Sequence, residues 1–345
     1  MEHIITGIWE ERQDVKTFSL KIASGAPLQY KPGQFLTFLH YINGREQRRS
    51  YSLSAAPGIA DAHSITVKRI PNGAMSRWLI DRAGIGDRLI SSGGATGVFI
   101  LPVDLSPYDA VWLFAAGIGI TPVYPILVSW LRTSTCKAVL IYSNRSRDTT
   151  VFYEALIALG EQYPDRLTIV WLWSNAQDLR RARISKESFP IIRKEYLTAD
   201  PERTLSYVCG PANYMWMIQL LLRDAGVPAG NIRREAFVVE KNVPKRHPAH
   251  VDKDPHRVTV STGGSSYSFI NSYPESILRS AKKVGIILPY SCDAGQCGSC
   301  TALCREGKVW MSYNEVLTEK DLAAGRILTC TGHATGGDVV LELVK

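Results

Sequence analysis

Between residues 4 and 100 the hydrophobic positions fall in short β-prone runs, at 16–22, 34–40, 64–70 and 88–92, separated by Gly, Pro and Asp. That spacing predicts a small antiparallel barrel, with one helical stretch at 74–82. From Ala110 the rhythm changes. Apolar runs at 111–114, 138–142, 167–172 and 205–208 alternate with helix-like segments at 121–132, 151–159 and 212–224. Alternation of this kind predicts a parallel sheet flanked by helices. Residues 241–255 are polar and hold Pro244, Pro248 and Pro255, the composition of a linker. A third unit follows from His256, with β-prone runs at 257–261 and 266–270, an amphipathic stretch at 274–283, a cysteine-rich loop and a last strand at 339–344. The expected fold is multidomain: an antiparallel β-barrel over 1–104, an α/β parallel-sheet domain over 105–240, a linker over 241–255 and an α+β domain over 256–345.

The chain's 345 residues suit two or three domains, and its 45% hydrophobic and 21% charged composition is that of a folded globular protein. Residues 110–131 are uncharged for 22 positions, long enough to span a bilayer, but Gly117, Gly119, Pro122 and Pro125 break them into strand, turn and helix. The N-terminus has early acidic residues and no continuous apolar core, so no targeting segment is expected and the cytoplasm is the expected compartment. The net charge of +8 is dispersed: the last ninety residues carry nine Lys+Arg against eight Asp+Glu. That dispersal favours an ordinary solvated surface over a nucleic-acid footprint.

Chemistry enters with the cysteines. Four of the seven lie between Cys292 and Cys304. Cys292, Cys297 and Cys300 give C-x4-C-x2-C, and Cys330 follows after 29 residues, which is the plant-type [2Fe-2S] spacing. Zinc or unligated core cysteines would explain an isolated C-x2-C but compete poorly with four spaced positions. Cys297, Cys300 and Cys304 also match part of another cluster run, but that register needs a cysteine where Ala294 stands. Cys304 and Cys136 are therefore read as small core side chains.

On these residues the C-terminal part resembles a plant-type ferredoxin domain of β-grasp-like fold. The preceding 240 residues resemble the ferredoxin-NADP reductase family. The whole is similar to reductase components of multicomponent oxygenases, of the phenylacetyl-CoA epoxidase reductase type. The resemblance implies FAD, a [2Fe-2S] cluster and NADPH or NADH, and a separate oxygenase or other acceptor protein.

It also assigns residues. Arg49-Ser50-Tyr51-Ser52 matches the R-x-Y-S flavin motif, with Arg49 for the pyrophosphate, Tyr51 for the ring face and Ser52 near N5. Val67 and Lys68, then Gly73, Met75 and Ser76 at a helix start, match the second flavin segment, where free N–H groups suit a phosphate. Gly117, Gly119, Thr121 and Pro122 match the nicotinamide turn, and Cys209-Gly210-Pro211 the C-G-P segment at a strand end. Glu235 and Phe237 resemble the closing E-x-F. Ser52, Cys209 and Glu235 are the expected hydride-transfer residues. For a coenzyme 2′-phosphate the candidates are Arg145, Arg180, Arg181 and Arg183, but Ser174-Asn175 stands where NADP-using relatives often show Ser-Arg.

A nicotinamide gives two electrons as a hydride and a [2Fe-2S] cluster takes one, so a flavin is required between them. The chain is expected to be an NAD(P)H-dependent electron-transfer enzyme. The alternatives are a redox-sensing or docking iron–sulfur flavoprotein with little turnover, and a reductase for a partner other than an oxygenase, such as a hybrid-cluster protein.

Overall fold

The structure, a computed structural model, describes residues 1–42, 44–56, 63–178, 182–237, 252–262 and 264–343. It divides into two compact units, the first made of Met1–Ala95 and Phe99–Phe237 and the second of Thr96–Val98 with the C-terminal part of the chain. Most of the proposed linker, residues 241–251, lies outside the described residues.

The first unit opens with six strands, β1 (Glu2–Arg12), β2 (Val15–Ile22), β3 (Phe35–Ile42), β4 (Arg45–Ser52), β5 (His63–Lys68) and β6 (Arg88–Ser91), and a helix, α1 (Ala74–Asp81), between the last two. They form one antiparallel sheet in the order β4-β3-β6-β1-β2-β5. A bridge between Leu53 and Ile65 links its two edges, curling the sheet into a barrel. Phe18, Leu20, Leu36, Phe38 and Ile65 fill the inside, and α1 adds Met75 and Leu79.

The same unit continues with a five-stranded sheet: β7 (Ala110–Ala116), β8 (Lys137–Asn144), β9 (Leu167–Trp173), β10 (Thr204–Cys209) and β11 (Ile232–Glu235). All its pairs are parallel and the order is β11-β10-β7-β8-β9. The helices are α2 (Ile120–Thr133), α3 (Tyr153–Gln162), α4 (Phe189–Tyr196) and α5 (Ala212–Asp224). Strand β7 is apolar on both faces because both are covered. Val111, Leu113 and Ala115 pack with α2 and α3, while Trp112 and Phe114 pack with α4 and α5. The uncharged stretch from Ala110 is thus strand, turn and helix, and among the described residues no helix is long and apolar enough to cross a membrane. After β9 the chain returns to the other side of β7. The crevice at the C-terminal ends of β7 and β10 is therefore the topological switch point, where ligands of such sheets bind.

The second unit holds β12 (His256–Thr262), β13 (Ser265–Asn271), β14 (Thr301–Met311), β15 (Arg326–Leu328) and β16 (Gly332–Leu343), with α6 (Ile277–Lys283) and α7 (Glu319–Ala323). The mixed sheet runs β13-β12-β16-β14-β15, with β12 and β16 parallel at its centre. Val258, Val260, Leu341 and Ala302 pack against Ile277, Leu278 and Ala281 of α6.

Candidate functional site

Register and turn chemistry bring Ser52, Cys209, Glu235, Gly119 and Gly210 together, while the Arg49 side chain and the turn from Gly73 to Ser76 bond to sequence neighbours. Strand β4 ends at Ser52, which pairs with Phe35, while Tyr51 pairs with Leu36 and Ser50 with Thr37, whose hydroxyl lies 2.9 Å from that of Ser50. Tyr51 is half-buried with its ring 6.3 Å from Phe38, and burial raises its phenol pKa. Arg49 is exposed, donating to the Arg48 carbonyl and to Gln47 Oε1 at 2.7 and 3.0 Å. Val67 is buried on β5 and Lys68 beside it is exposed.

Gly73 precedes α1, and the helix has no side-chain cap and no acidic residue in its first turn, so its leading N–H groups retain an unfilled demand for an anion. Met75 and Ser76 are buried there. The Ser76 hydroxyl is already engaged, donating to the Gly73 carbonyl at 3.1 Å and accepting from the Ile70 N–H at 3.2 Å. A Cβ on Gly73 would meet that hydroxyl at 2.4 Å, so glycine lets the serine fold back and brace the turn.

At the switch point two backbone turns meet. Gly117, with φ +54°, begins a short 3-10 turn that leads into α2, where Thr121 and Pro122 are buried and the Thr121 hydroxyl donates to the Ile118 carbonyl at 3.0 Å. A Cβ on Gly119 would lie 2.3 Å from the Cys209 carbonyl oxygen, and one on Gly210 would lie 2.9 Å from Ala116 Cβ. These bare approaches let the two turns pack closely at the switch point, which is where a sheet of this kind presents backbone to a dinucleotide pyrophosphate. Pro211 caps α5. Two tyrosines that the motifs do not include hold the turns. Tyr142 donates to the Gly117 carbonyl at 3.0 Å, and Tyr214 donates to the Ala115 carbonyl at 3.3 Å. Tyr214 sits three residues after Pro211, an offset that is its only trace in the sequence.

Three residues from distant parts of the chain converge. Cys209 and Glu235 are register partners on β10 and β11, and Ser52 Oγ donates to Glu235 Oε1 at 2.8 Å in a buried setting. Burial pushes the Glu235 carboxyl up to about 8, against the lowering effect of the Ser52 hydrogen bond. Burial, with the Glu235 carboxyl nearby, also raises the Cys209 thiol, which stays protonated at neutral pH. Phe237, the last described residue before the linker, is exposed. Arg145 and Arg183 are exposed as well, whereas Arg180 and Arg181 lie outside the described residues. The N–H groups of Ser174 and Asn175 bond the carbonyls of Asn144 and Arg145 at 2.9 and 3.1 Å, tying the loops after β8 and β9 together.

In the second unit Cys330 follows β15, which pairs with the start of β14 so that Leu328 faces Thr301. That pairing places Cys330 Sγ 3.2 Å from Cys300 Sγ, both side chains buried. Cys292 and Cys297 are half-buried. The Cys297 thiol and the backbone N–H groups of Gln296, Ala294 and Cys297 point at the Cys292 sulfur and lower its pKa against the opposing effect of burial. Asp293, Gly295 and Gly298 take positive φ values of 51°, 74° and 72°, which coil the loop and turn its N–H groups toward sulfur. A Cβ on Gly295 would press on the Tyr313 carbonyl oxygen at 2.9 Å. The donor set suits a [2Fe-2S] cluster, which takes two thiolates on each iron: the sulfurs stand as two pairs, 292 with 297 and 300 with 330. Among the described residues no three His, Cys, Asp or Glu side chains gather as a single-ion site. Cys304 lies on β14 opposite Leu341, and Cys136 is half-buried with its thiol 3.6 Å from the Tyr108 carbonyl.

Residues 4–99 match the oxidoreductase FAD-binding domain, 113–219 the oxidoreductase NAD-binding domain and 262–335 the 2Fe-2S iron–sulfur cluster binding domain. The ferredoxin reductase component of 3-ketosteroid-9-alpha-monooxygenase from Rhodococcus rhodochrous is 34% identical over 98% of this chain and 95% of that protein. The chain belongs to the ferredoxin-NADP reductase family. It is similar too to a component of 1,2-phenylacetyl-CoA epoxidase from Escherichia coli, 31% identical over 99% of this chain and 97% of that one. Among solved structures, phthalate dioxygenase reductase, a modular structure for electron transfer from pyridine nucleotides to [2Fe-2S], matches with a TM-score of 0.59. It is 25% identical over 99% of this chain and 98% of that one. This family member is an NAD(P)H-dependent oxidoreductase that uses FAD and a [2Fe-2S] cluster, with the cluster domain at its C-terminus.

Proposed function

We propose that this reductase draws a hydride from NADH or NADPH at the Ser52–Cys209–Glu235 cluster and passes single electrons through Cys292, Cys297, Cys300 and Cys330 to a separate oxygenase. FAD and the cluster, when bound, supply the conversion of a two-electron donor into one-electron steps. The observation that carries the reading is the 2.8 Å bond from Ser52, on the flavin-type barrel, to Glu235, on the nicotinamide-type sheet. It closes one buried site from two motifs read separately.

The chain's own residues divide the work. Arg49 and the leading N–H groups of α1 would hold the FAD pyrophosphate, while Tyr51 covers the ring, with Val67, Lys68 and Met75 lining the site. Gly117, Gly119, Thr121, Pro122, Gly210 and Pro211 would form the backbone cradle for the coenzyme pyrophosphate. Ser52 would orient the flavin ring, Cys209 would supply a small neutral side chain beside the nicotinamide, and neutral Glu235 accepts the Ser52 hydrogen bond without adding charge. Phe237 would shield the flavin edge and Arg145 would approach the adenine ribose. Ser174-Asn175 weighs against strict dependence on NADPH. The oxygenase is inferred from the relatives that serve monooxygenases. We place the three modules at 1–104, 105–240 and 256–345, joined by 241–255, in a cytoplasm reducing enough to keep the thiols unpaired.

Anaerobic titration with NADH and, separately, NADPH tests the reading. Two electrons for the flavin and one for the cluster call for about 1.5 equivalents of coenzyme to bleach both chromophores. Bleaching that stops at the flavin would refute the sequence of transfers.

A further inference from the structure

The segment that leads from α6 into the cysteine loop is built in an unusual way for a solvent face. Leu288 points into the core and Ile286 is half-buried, yet Val284 is 59% and Ile287 85% exposed, and Pro289 is exposed beside them. One exposed isoleucine is ordinary. Here two large aliphatic side chains and a proline share six positions that end three residues before Cys292. Their backbone is fixed: the Gly285 N–H bonds the Lys282 carbonyl at 3.1 Å, the Ile286 N–H bonds the Ala281 carbonyl at 3.0 Å, and Gly285 takes φ +77°. That double bond is a Schellman closure of α6, so the chain is held with Ile287 in water and Leu288 inside.

Within the segment itself the charge has one sign. Residues 279–290 hold Arg279, Lys282 and Lys283 and no carboxylate. Lys283 is paired with Glu275 at 3.1 Å, whereas the Lys282 ammonium sits 3.4 Å from the centre of the Tyr290 ring, two residues from Cys292. The sulfur set is also asymmetric. Cys300 and Cys330 are buried, and Cys292 and Cys297, on the side that this segment enters, are partly exposed.

We infer that the face formed by Arg279, Lys282, Val284 and Ile287 docks the electron acceptor, and that the acceptor is a protein whose redox centre is ringed by carboxylates around an apolar spot that receives Ile287. The inference rests on the proposed role of the cluster as the exit for electrons. One electron passes from the cluster, which is oxidised, to the acceptor's centre, which is reduced, and no bond or proton changes hands. The sign of the face disfavours a second copy of itself, since two such faces would oppose like charges. It favours an acidic partner whose encounter is steered and salt-sensitive.

The full holoenzyme is tested against two one-electron haem proteins: the soluble domain of cytochrome b5, with an acidic haem edge, and cytochrome c, with a basic one. In the native chain carbodiimide should join cytochrome b5 to Lys282. In Arg279→Glu/Lys282→Glu that cross-link should disappear and the KM for cytochrome b5 should rise about tenfold at low ionic strength, the difference closing at high salt, while the KM for cytochrome c falls. Ile287→Ser, at a position too exposed to disturb the fold, should raise the cytochrome b5 KM about threefold with an unchanged salt slope. Reduction of the cluster by NAD(P)H should be the same in all three. Cross-linking and KM values that do not move in the variants, while the cluster is still reduced, would overturn the docking face and leave the proposed function standing. Cytochrome reduction that survives Cys330→Ser would overturn the exit role itself.

Discussion

Glu235 shows at the residue scale how a motif position acquires chemistry from burial. Burial pushes its carboxyl up to about 8, so at neutral pH the group bonded to Ser52 is mostly a neutral acid. Because the folded value lies above the ordinary carboxylate range, the folded chain holds this proton more tightly than the unfolded one. Stability is therefore lost as pH rises from about 4.5 through 8. On the proposed site, the same ionisation would place a negative charge where the flavin accepts a hydride. Flavin reduction at saturating NAD(P)H should fall severalfold above about pH 8, and Glu235→Gln, which keeps a neutral acceptor for Ser52, should flatten that limb while retaining the rate at pH 7. Stopped-flow rates from pH 6 to 9.5 decide it, and a limb that persists in the glutamine variant would assign the titration to another group. Ser52 and Cys209 are legible from sequence because their motifs fix short spacings. The burial of Glu235 is not, since its partner stands 183 positions away on another sheet. A second hidden network has the same cause: His3 lies 3.0 Å from His63 and 2.9 Å from Ser91, both imidazoles buried, and no local pattern links those three strands.

At the scale of elements the glycine turns shape most of the proposed coenzyme site. Gly119 and Gly117 look equivalent in G-x-G, but their surroundings differ. A methyl group at Gly119 would strike the Cys209 carbonyl oxygen and the Gly210 nitrogen, which are backbone atoms of the facing turn and cannot rotate away. At Gly117 nothing lies within 4 Å, and only the φ of +54° resists a side chain. Gly119→Ala should cost about 1–3 kcal/mol by overpacking and raise the KM for NAD(P)H about tenfold or more. Gly117→Ala should cost no more than about 1–2 kcal/mol of left-handed strain with a smaller change in KM. Thermal unfolding with steady-state ferricyanide reduction separates the two, and equal KM values in both variants would remove the backbone contact from coenzyme binding. Element legibility followed burial. Strands β7, β8 and β10 are apolar runs and read directly. Strand β4, Arg-Glu-Gln-Arg-Arg-Ser-Tyr-Ser, has only Ser52 buried and carries no alternation beyond the motif at its end. The long strands β1 and β16 extend past their apolar cores through exposed residues, so their lengths are invisible to pattern.

For the whole molecule the two compact units separate the candidate residues. Ser52, Cys209 and Glu235 all belong to the first unit, and the four cysteines proposed as cluster ligands belong to the second. On the proposed assignment, the ligand set should be breakable without touching hydride transfer. Cys330 is buried with its sulfur 3.2 Å from Cys300, whereas Cys304 sits on β14 opposite Leu341, its thiol near the carbonyls of Glu306 and Gly307 at 3.4 and 3.8 Å. Cys330→Ser exchanges a soft thiolate for a hard hydroxyl on one of the two sulfur pairs. The purified variant should lose most of its iron and its cluster absorbance, keep stoichiometric FAD, and reduce ferricyanide at close to the native rate, because ferricyanide takes electrons from flavin. Its reduction of a one-electron protein acceptor should drop at least about tenfold, since that acceptor depends on the cluster. Cys304→Ser removes a half-buried sulfur whose hydrogen-bond partners are the carbonyls of Glu306 and Gly307, and should leave iron content, visible spectrum and both activities near native. Iron and flavin analysis beside the two assays reads all four quantities from one preparation. Equal loss of iron in both variants would move the ligand set to a register that includes Cys304, and loss of FAD from Cys330→Ser would mean that the two units share the stability of the flavin site.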